Sequence, residues 1–259
     1  MVLGSWQTLY PSAVHQLIVL VAGVVAGAIN SMAGGGTLVS FPTLVWLGVP
    51  SISANATNSV AMWPGSLAGV WGYRREMRDA DRRVYLLAIP SLIGGLIGAV
   101  LLQRTPTDVF DRLVPVLILF ATFLFMAQEP IQRRFNVAPS HPRTLAPFLF
   151  QFLVGIYGGY FGAGIGILML AALSIMGHTD IHQMNGFKNL LAACINAIAA
   201  VYLIVAGLVS WPDAIVLAIG AVIGGAAGAG MARRLGRTAV RRFVVVIGFA
   251  MALSLMLRL

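Results

Sequence analysis

The chain has 259 residues, of which 59% are hydrophobic and only 10% charged, whereas ordinary soluble domains carry about a quarter charged residues. Too few polar side chains are present to cover a water-exposed globule. The formal net charge of +9 would suit nucleic acid only if the basic groups lined one exposed face; instead the arginines sit in short clusters between apolar runs, where they read as topology signals, and no nucleic-acid partner is expected.

Residues 1–12 lack the basic region of a secretory signal peptide, and no small-residue cleavage site follows the apolar stretch from Ala13, which is read as a retained first helix. Apolar segments run over 13–32, 37–50, 54–72, 84–103 and 110–128, and a second set over 145–161, 165–177, 184–207, 212–232 and 239–257. Crossing about 30 Å of hydrocarbon takes roughly 20 apolar residues per helix. The partner of this protein is therefore the lipid bilayer. The runs are too continuous for barrel strands of alternating polarity, so the fold class is all-α, a polytopic integral membrane protein. Cys194, the only cysteine, lies inside an apolar run, which excludes an intramolecular disulfide and a cysteine metal cluster.

The two sets of segments are related by an ungapped offset of 130 residues. Ala33, Gly34 and Gly36 fall on Ala163, Gly164 and Gly166, and Asn55 falls on Asn185. The same offset pairs Gly94, Gly95 and Gly98 with Gly224, Gly225 and Gly228, and Arg104 and Arg112 with Arg234 and Arg242. Residues 1–128 are accordingly read as a first membrane repeat, 129–144 as a linker and 145–259 as a second repeat.

Arginine placement orients the repeats, because loops rich in Lys and Arg stay cytoplasmic. Residues 74–83 hold Arg74, Arg75, Arg78, Arg82 and Arg83, while their counterpart at 208–213 has no basic residue. In the next loop the bias reverses: 104–112 balances two arginines with Asp108 and Asp111, whereas 233–242 has five arginines and no acid. Equivalent loops thus face opposite sides, which makes the repeats inverted, the linker with Arg133, Arg134 and Arg143 cytoplasmic, and both termini periplasmic. This needs an odd number of net crossings per half. Five crossing segments are expected, three plus a re-entrant pair being the other solution, since the short second segment of each half would span only about 20 Å as a helix.

The first candidate site is the junction Asn30, Ser31, Gly34, Gly35, Gly36 and Thr37, with Tyr160, Gly164 and Gly166 at its mate. Consecutive glycines disfavour a continuous helix, so one helix can end and another begin with unpaired N–H groups aimed into a cavity, a setting that attracts anions. Paired interruptions at equivalent places in an inverted repeat point to a transporter's midplane site. Isolated glycines such as Gly94, Gly98, Gly224 and Gly228 are read instead as close-packing positions.

The second candidate joins Asn55, Thr57 and Asn58 to Asn185, Lys188 and Asn189, both clusters opening long apolar runs. Helix N-capping and ligand binding are both open readings for these polar groups. Lys188 is the only lysine, and its first-half equivalent is Asn58. Buried, it would pair with an anion; near an interface it would snorkel to water. His178 and His182 lie four apart near Asp180, but neither half supplies a cysteine or further clustered carboxylate, so no metal site is expected. The acids, Asp213 among them, all fall in or beside predicted loops, and no carboxylate is clearly intramembrane. No catalytic residue and no cofactor are expected, because an enzyme would need an intramembrane nucleophile, base or metal cluster.

The stretches NSMAGGGTLVSFPTL (30–44), ANATNS (54–59), GGYFGAGIGILML (158–170) and MNGFKNLLA (184–192) resemble the sulfite exporter TauE/SafE family, also called toluene-sulfonate uptake permeases, over nearly the whole chain. The resemblance implies a bacterial cytoplasmic-membrane carrier for sulfite, organosulfonates or related organic anions. The function expected is secondary transport of a small anionic solute by alternating access, without enzymatic activity, and a homodimer is compatible with it. An anion-selective channel and a carrier for a non-sulfur carboxylate are the alternatives.

Overall fold

The structure is a computed structural model that describes residues 12–78, 83–127, 145–176, 178, 180–235 and 237–257. Eleven helices are described and, among the described residues, no strand. They are α1 (Ser12–Ala33), α2 (Thr37–Trp46), α3 (Ser51–Gly72), α4 (Arg83–Leu86), α5 (Ala88–Arg104) and α6 (Thr107–Met126), followed by α7 (Ala146–Tyr160), α8 (Ile165–Ile175), α9 (Ile181–Val205), α10 (Trp211–Leu235) and α11 (Arg237–Met256). The fold is all-α and polytopic, as composition requires. The linker 129–144, residues 1–11 and the side chains of Arg233, Arg234, Arg237 and Arg241 lie outside the described residues.

Helix boundaries follow local chemistry. Pro50 and Pro106 stand before α3 and α6 with ψ of 139° and 143°; proline lacks an N–H to leave unsatisfied and fixes φ for helix entry. Pro90, in the first turn of α5, cannot donate to the carbonyl of Leu86, and the chain breaks there between α4 and α5. Ser91 closes the gap by donating both its N–H (3.1 Å) and its hydroxyl (2.8 Å) to the Leu87 carbonyl. Asp180 begins α9, accepting from the N–H groups of His182 (2.8 Å) and Gln183 (3.4 Å).

The most extensive helix pairing is α1 on α10, and its equivalent 130 residues away is α7 on α5. Both are held by small residues. A Cβ at Gly23 would stand 2.6 Å from the Leu217 carbonyl oxygen, and one at Gly94 would stand 2.9 Å from the Ile156 nitrogen. No side chain larger than hydrogen fits, so the backbones meet directly, which is how helices associate where lipid removes the hydrophobic driving force. Outward faces of α5 and α6 expose Ile89, Ile93, Val116, Phe120 and Phe123, as a lipid-facing surface does.

The direction of each short helix comes from its contacts. Asn58 of α3 donates to Thr37 Oγ1 (3.3 Å) and accepts from Ser40 Oγ (2.5 Å), while the far end of α2 joins the start of α3 through residues 47–50. α2 therefore runs back toward the face where α3 begins. α1 starts on that same face: His15 bonds to Asp213 in the first turn of α10 (2.7 Å), and Ser210 donates its N–H to Thr57 of α3 (2.9 Å). Thus α1 and α2 enter and leave by one face.

In the other half α9 begins beside the end of α3, where the Gln183 amide donates to the Glu76 carbonyl (3.3 Å). α8 returns to that region, with the His178 ring 6.1 Å from Phe187, so the α7–α8 pair enters from the face opposite to α1–α2. The five expected segments of each half are present, and the second of each is short and turns back along the first. The physical reason is length and turn: α2 and α8 have 10 and 11 residues, about 15 Å of helix, and glycines with φ of +76° (Gly34), +79° (Gly162) and +77° (Gly164) reverse the chain before them.

Candidate functional site

The two chain reversals meet inside the protein. A Cβ at Gly34 would lie 2.7 Å from Cα of Gly166, so the broken helices of the two halves touch backbone to backbone. Beside this contact is a cavity lined by Asn30, Gly34, Thr37, Asn58, Gly166, Lys188 and Asn189 from the expected set. Ser59, Met62, Phe161, Gly162, Ile165, Ala192 and Asn196 complete the wall. The space open to the centre of a water molecule is about 20 Å³, enough for roughly one water.

Lys188 dominates the electrostatics. It is 1% exposed, and its ammonium donates to the carbonyls of Asn30 (3.3 Å) and Ser31 (3.5 Å) at the end of α1. Those carbonyls form the negative end of a helix dipole. Both bonds are long, and an ammonium has three N–H donors, so one remains for another acceptor. Among the described residues no carboxylate pairs with it. The snorkelling reading is thereby excluded: the stem does not carry the charge to an interface.

Asn55 plays the matching part in the other half. Its amide donates to the Tyr160 carbonyl at the end of α7 (2.7 Å), so each long third helix supplies a nitrogen that caps the broken helix of the opposite half. The N-capping reading of the two asparagine clusters is corrected here. α3 starts at Ser51 and α9 at Ile181, which puts Asn55 and Asn185 a full turn inside the helix rather than before it.

Other expected residues take separate places. Ser31 is buried and offers its carbonyl to Lys188. Gly35 packs on the Phe125 ring, and Gly36 lies against the Asn30 side chain. Tyr160 points its hydroxyl toward Thr105 (3.3 Å) and its ring toward Phe110, away from the cavity, so only its carbonyl serves the junction. Thr57 accepts from Ser210 and stands outside the cavity wall. Gly164 turns the chain against Ala121. Asn185 is buried with its Oδ1 unpartnered, and Asn189 is buried with its Nδ2 unpartnered. An unpaired buried amide is costly; Asn189 lines the cavity while its Nδ2 packs on Gly69 of α3, and Asn185 stands outside the wall.

Ser40 and Asn196 were missed by sequence reasoning, because each sits among apolar neighbours with no motif of its own. Ser59, the last residue of the ANATNS stretch and 130 residues from Asn189, joins the wall as that cluster suggested. His178 turns to Gln183 (3.3 Å) and His182 is exposed, so the two do not converge on one point. Asp213 stands beside a loop, in the first turn of α10, yet is 4% exposed and joined to His15 at the α1–α10 interface.

Comparison with known sequences follows the same outline. Residues 19–255 match the family described as sulfite exporter TauE/SafE. The chain belongs to that family. A Haemophilus influenzae protein named a probable membrane transporter protein is 27% identical over 239 residues, covering 90% of this chain and 91% of that one. The probable membrane transporter protein ORF9 of a Sinorhizobium species is 26% identical over 249 residues, 94% of each chain. The probable membrane transporter protein YfcA of Escherichia coli K12 is 25% identical over 245 residues, 92% of this chain and 88% of its own length. As a TauE/SafE protein the chain is a multi-pass membrane transporter, and its glycine reversals and buried lysine lie within the matched span.

Proposed function

We propose that this TauE/SafE protein is a secondary transporter that moves a small anion, sulfite or an organosulfonate, across the bacterial inner membrane by alternating access. The observation that carries the reading is Lys188: a buried cation, held by two long bonds to carbonyls, beside a cavity also lined by Asn30, Asn58, Asn189 and Asn196. Burying an ammonium costs several kcal/mol unless it is paired. A substrate anion supplies the missing charge. Asn58, with its amide group already engaged by Thr37 and Ser40, holds α2 in place, and Asn30, Ser31, Gly34, Gly35, Gly36, Gly166 and Thr37 shape the reversal around the ligand.

Alternating access is supported by the size of the cavity. About 20 Å³ admits a water and not a sulfur oxyanion, so in this reading an anion enters when the helix pairs separate. The two re-entrant pairs, entering from opposite faces, are the elements that exchange exposure. Both termini lie on the periplasmic side in this reading, because the arginine-rich loop after α3 stays in the cytoplasm.

The test is uptake and efflux in proteoliposomes with sulfite, sulfonates, sulfate and carboxylates, comparing the natural protein with Lys188→Ala and Gly35→Leu. Saturable flux that supports counterflow is expected for sulfite or a sulfonate and is lost in both variants. Flux that rises linearly with concentration and shows no counterflow identifies a channel instead, and full activity in both variants removes the site assignment.

A further inference from the structure

The helices that build the first reversal are almost free of ionisable groups. α1, α2 and α3 together contain one, His15. It is spent on a single contact: Nε2 of His15 lies 2.7 Å from Oδ1 of Asp213, with the two side chains 19% and 5% exposed. The second carboxylate oxygen accepts from the Ser210 hydroxyl (2.8 Å), and the Ser210 N–H donates to the Thr57 hydroxyl (2.9 Å). Thr57 is fully buried and precedes Asn58, which lines the cavity. A continuous run of polar contacts therefore links His15 of α1, Asp213 of α10 and the cavity helix α3 on the face where all three begin. The side-chain oxygen Oε1 of Gln16, beside His15, is buried without a donor.

Among the described residues no other charge faces this pair from the elements packed on α1 and α10. α2, α3 and α8 contain no ionisable side chain. On α9, His182 is exposed at the opposite face, Lys188 is bonded to the far end of α1, and the Tyr202 hydroxyl donates to Gln103. The arginines of α10 and α11 stand at the far end, where those two helices meet. Asp111 at the start of α6 accepts from Ser51. Positions 130 residues from His15 and Asp213 are Leu145 and Arg83, so the pair belongs to one face only.

We propose that His15 and Asp213 share one proton and act as a proton-binding latch on that face, which, resting on the transport reading above, makes access to the cavity depend on pH there. With the proton bound, the pair is an imidazolium and a carboxylate, neutral in sum, and α1 is tied to α10. When the proton leaves to solvent, imidazole and carboxylate together carry one buried negative charge, which favours hydration and separation of the helix ends. Because the closed state is the one that binds the proton, acid on this face holds it shut and slows flux.

Two readouts on the full-length protein in lipid test this, each over about pH 5.5 to pH 8, with His15→Gln and Asp213→Asn. The first is hydrogen–deuterium exchange of residues 206–215, corrected for the intrinsic pH dependence of exchange. The second is efflux of methanesulfonate, whose own charge is constant over this range. The natural protein is expected to gain at least about fivefold in both, and each variant less than about twofold. If one variant does not fold, the other decides. Exchange that rises as steeply in the variants as in the natural protein overturns the latch while leaving transport untouched. An exchange response that vanishes in the variants, with no methanesulfonate or sulfite flux at any pH, upholds the proton site and overturns the transport reading instead.

Discussion

At the scale of single residues, Lys188 and Asn189 sit side by side in the cavity wall, but they hold different relations to the scaffold. Lys188 both caps α1 and faces the cavity, so Lys188→Gln keeps some capping and loses the charge; sulfite flux is expected to fall about tenfold or more, the worth of one charge-assisted bond, with Lys188→Arg retaining more than Gln. Asn189→Ala removes an amide whose Nδ2 has no protein acceptor and introduces nothing against Gly69 of α3, so it is expected to raise the half-saturating sulfite concentration about threefold to tenfold. Flux against concentration checks both; an Asn189→Ala protein with unaltered half-saturation contradicts a ligand role for that side chain. Lys188 was legible in the sequence as the only lysine in an apolar run. Its partners were not, because the carbonyl it holds is 158 positions away, and the same is true of Asp213, which looks like a loop acid until His15 meets it across 198 positions.

At the scale of elements, the reversal at Gly34 is constrained twice over, by a φ of +76° and by Gly166 at 2.7 Å from any added Cβ. Gly207 has a similar φ, +72°, with nothing within 4 Å. Gly34→Ala is therefore expected to cost more than the roughly 1–2 kcal/mol of left-handed backbone strain that Gly207→Ala pays alone, and thermal unfolding in detergent is expected to rank Gly34→Ala well below Gly207→Ala. Equal melting temperatures contradict the backbone contact between the two reversals. These glycines were readable as helix breaks because three stand in a row at 34–36 and a matching pair recurs at 164 and 166. The direction of each short helix was not readable, since a short apolar run has the same composition whether it continues onward or turns back. Only its contacts with Asn58 and the start of α3 give its direction.

At the scale of the whole molecule, the ten apolar segments read from hydropathy fall on the described helices with shifts of a few residues; the visible departure is the α4–α5 break that Pro90 makes. The pairing of α1 with α10 and of α7 with α5 could not be read from one sequence, because glycine spacing says that a helix packs closely and not on which neighbour. The proposed orientation predicts that reporters placed at Arg75 and at Leu208 fall on opposite sides of the membrane, Arg75 in the cytoplasm; both on one side contradicts the inverted arrangement. The central claim, that an anion is carried through a site built around a buried lysine, is tested most directly by sulfite counterflow in proteoliposomes of the natural protein and of Lys188→Gln. The account predicts saturable counterflow that is reduced about tenfold or more in the variant. Counterflow of equal size in both contradicts it.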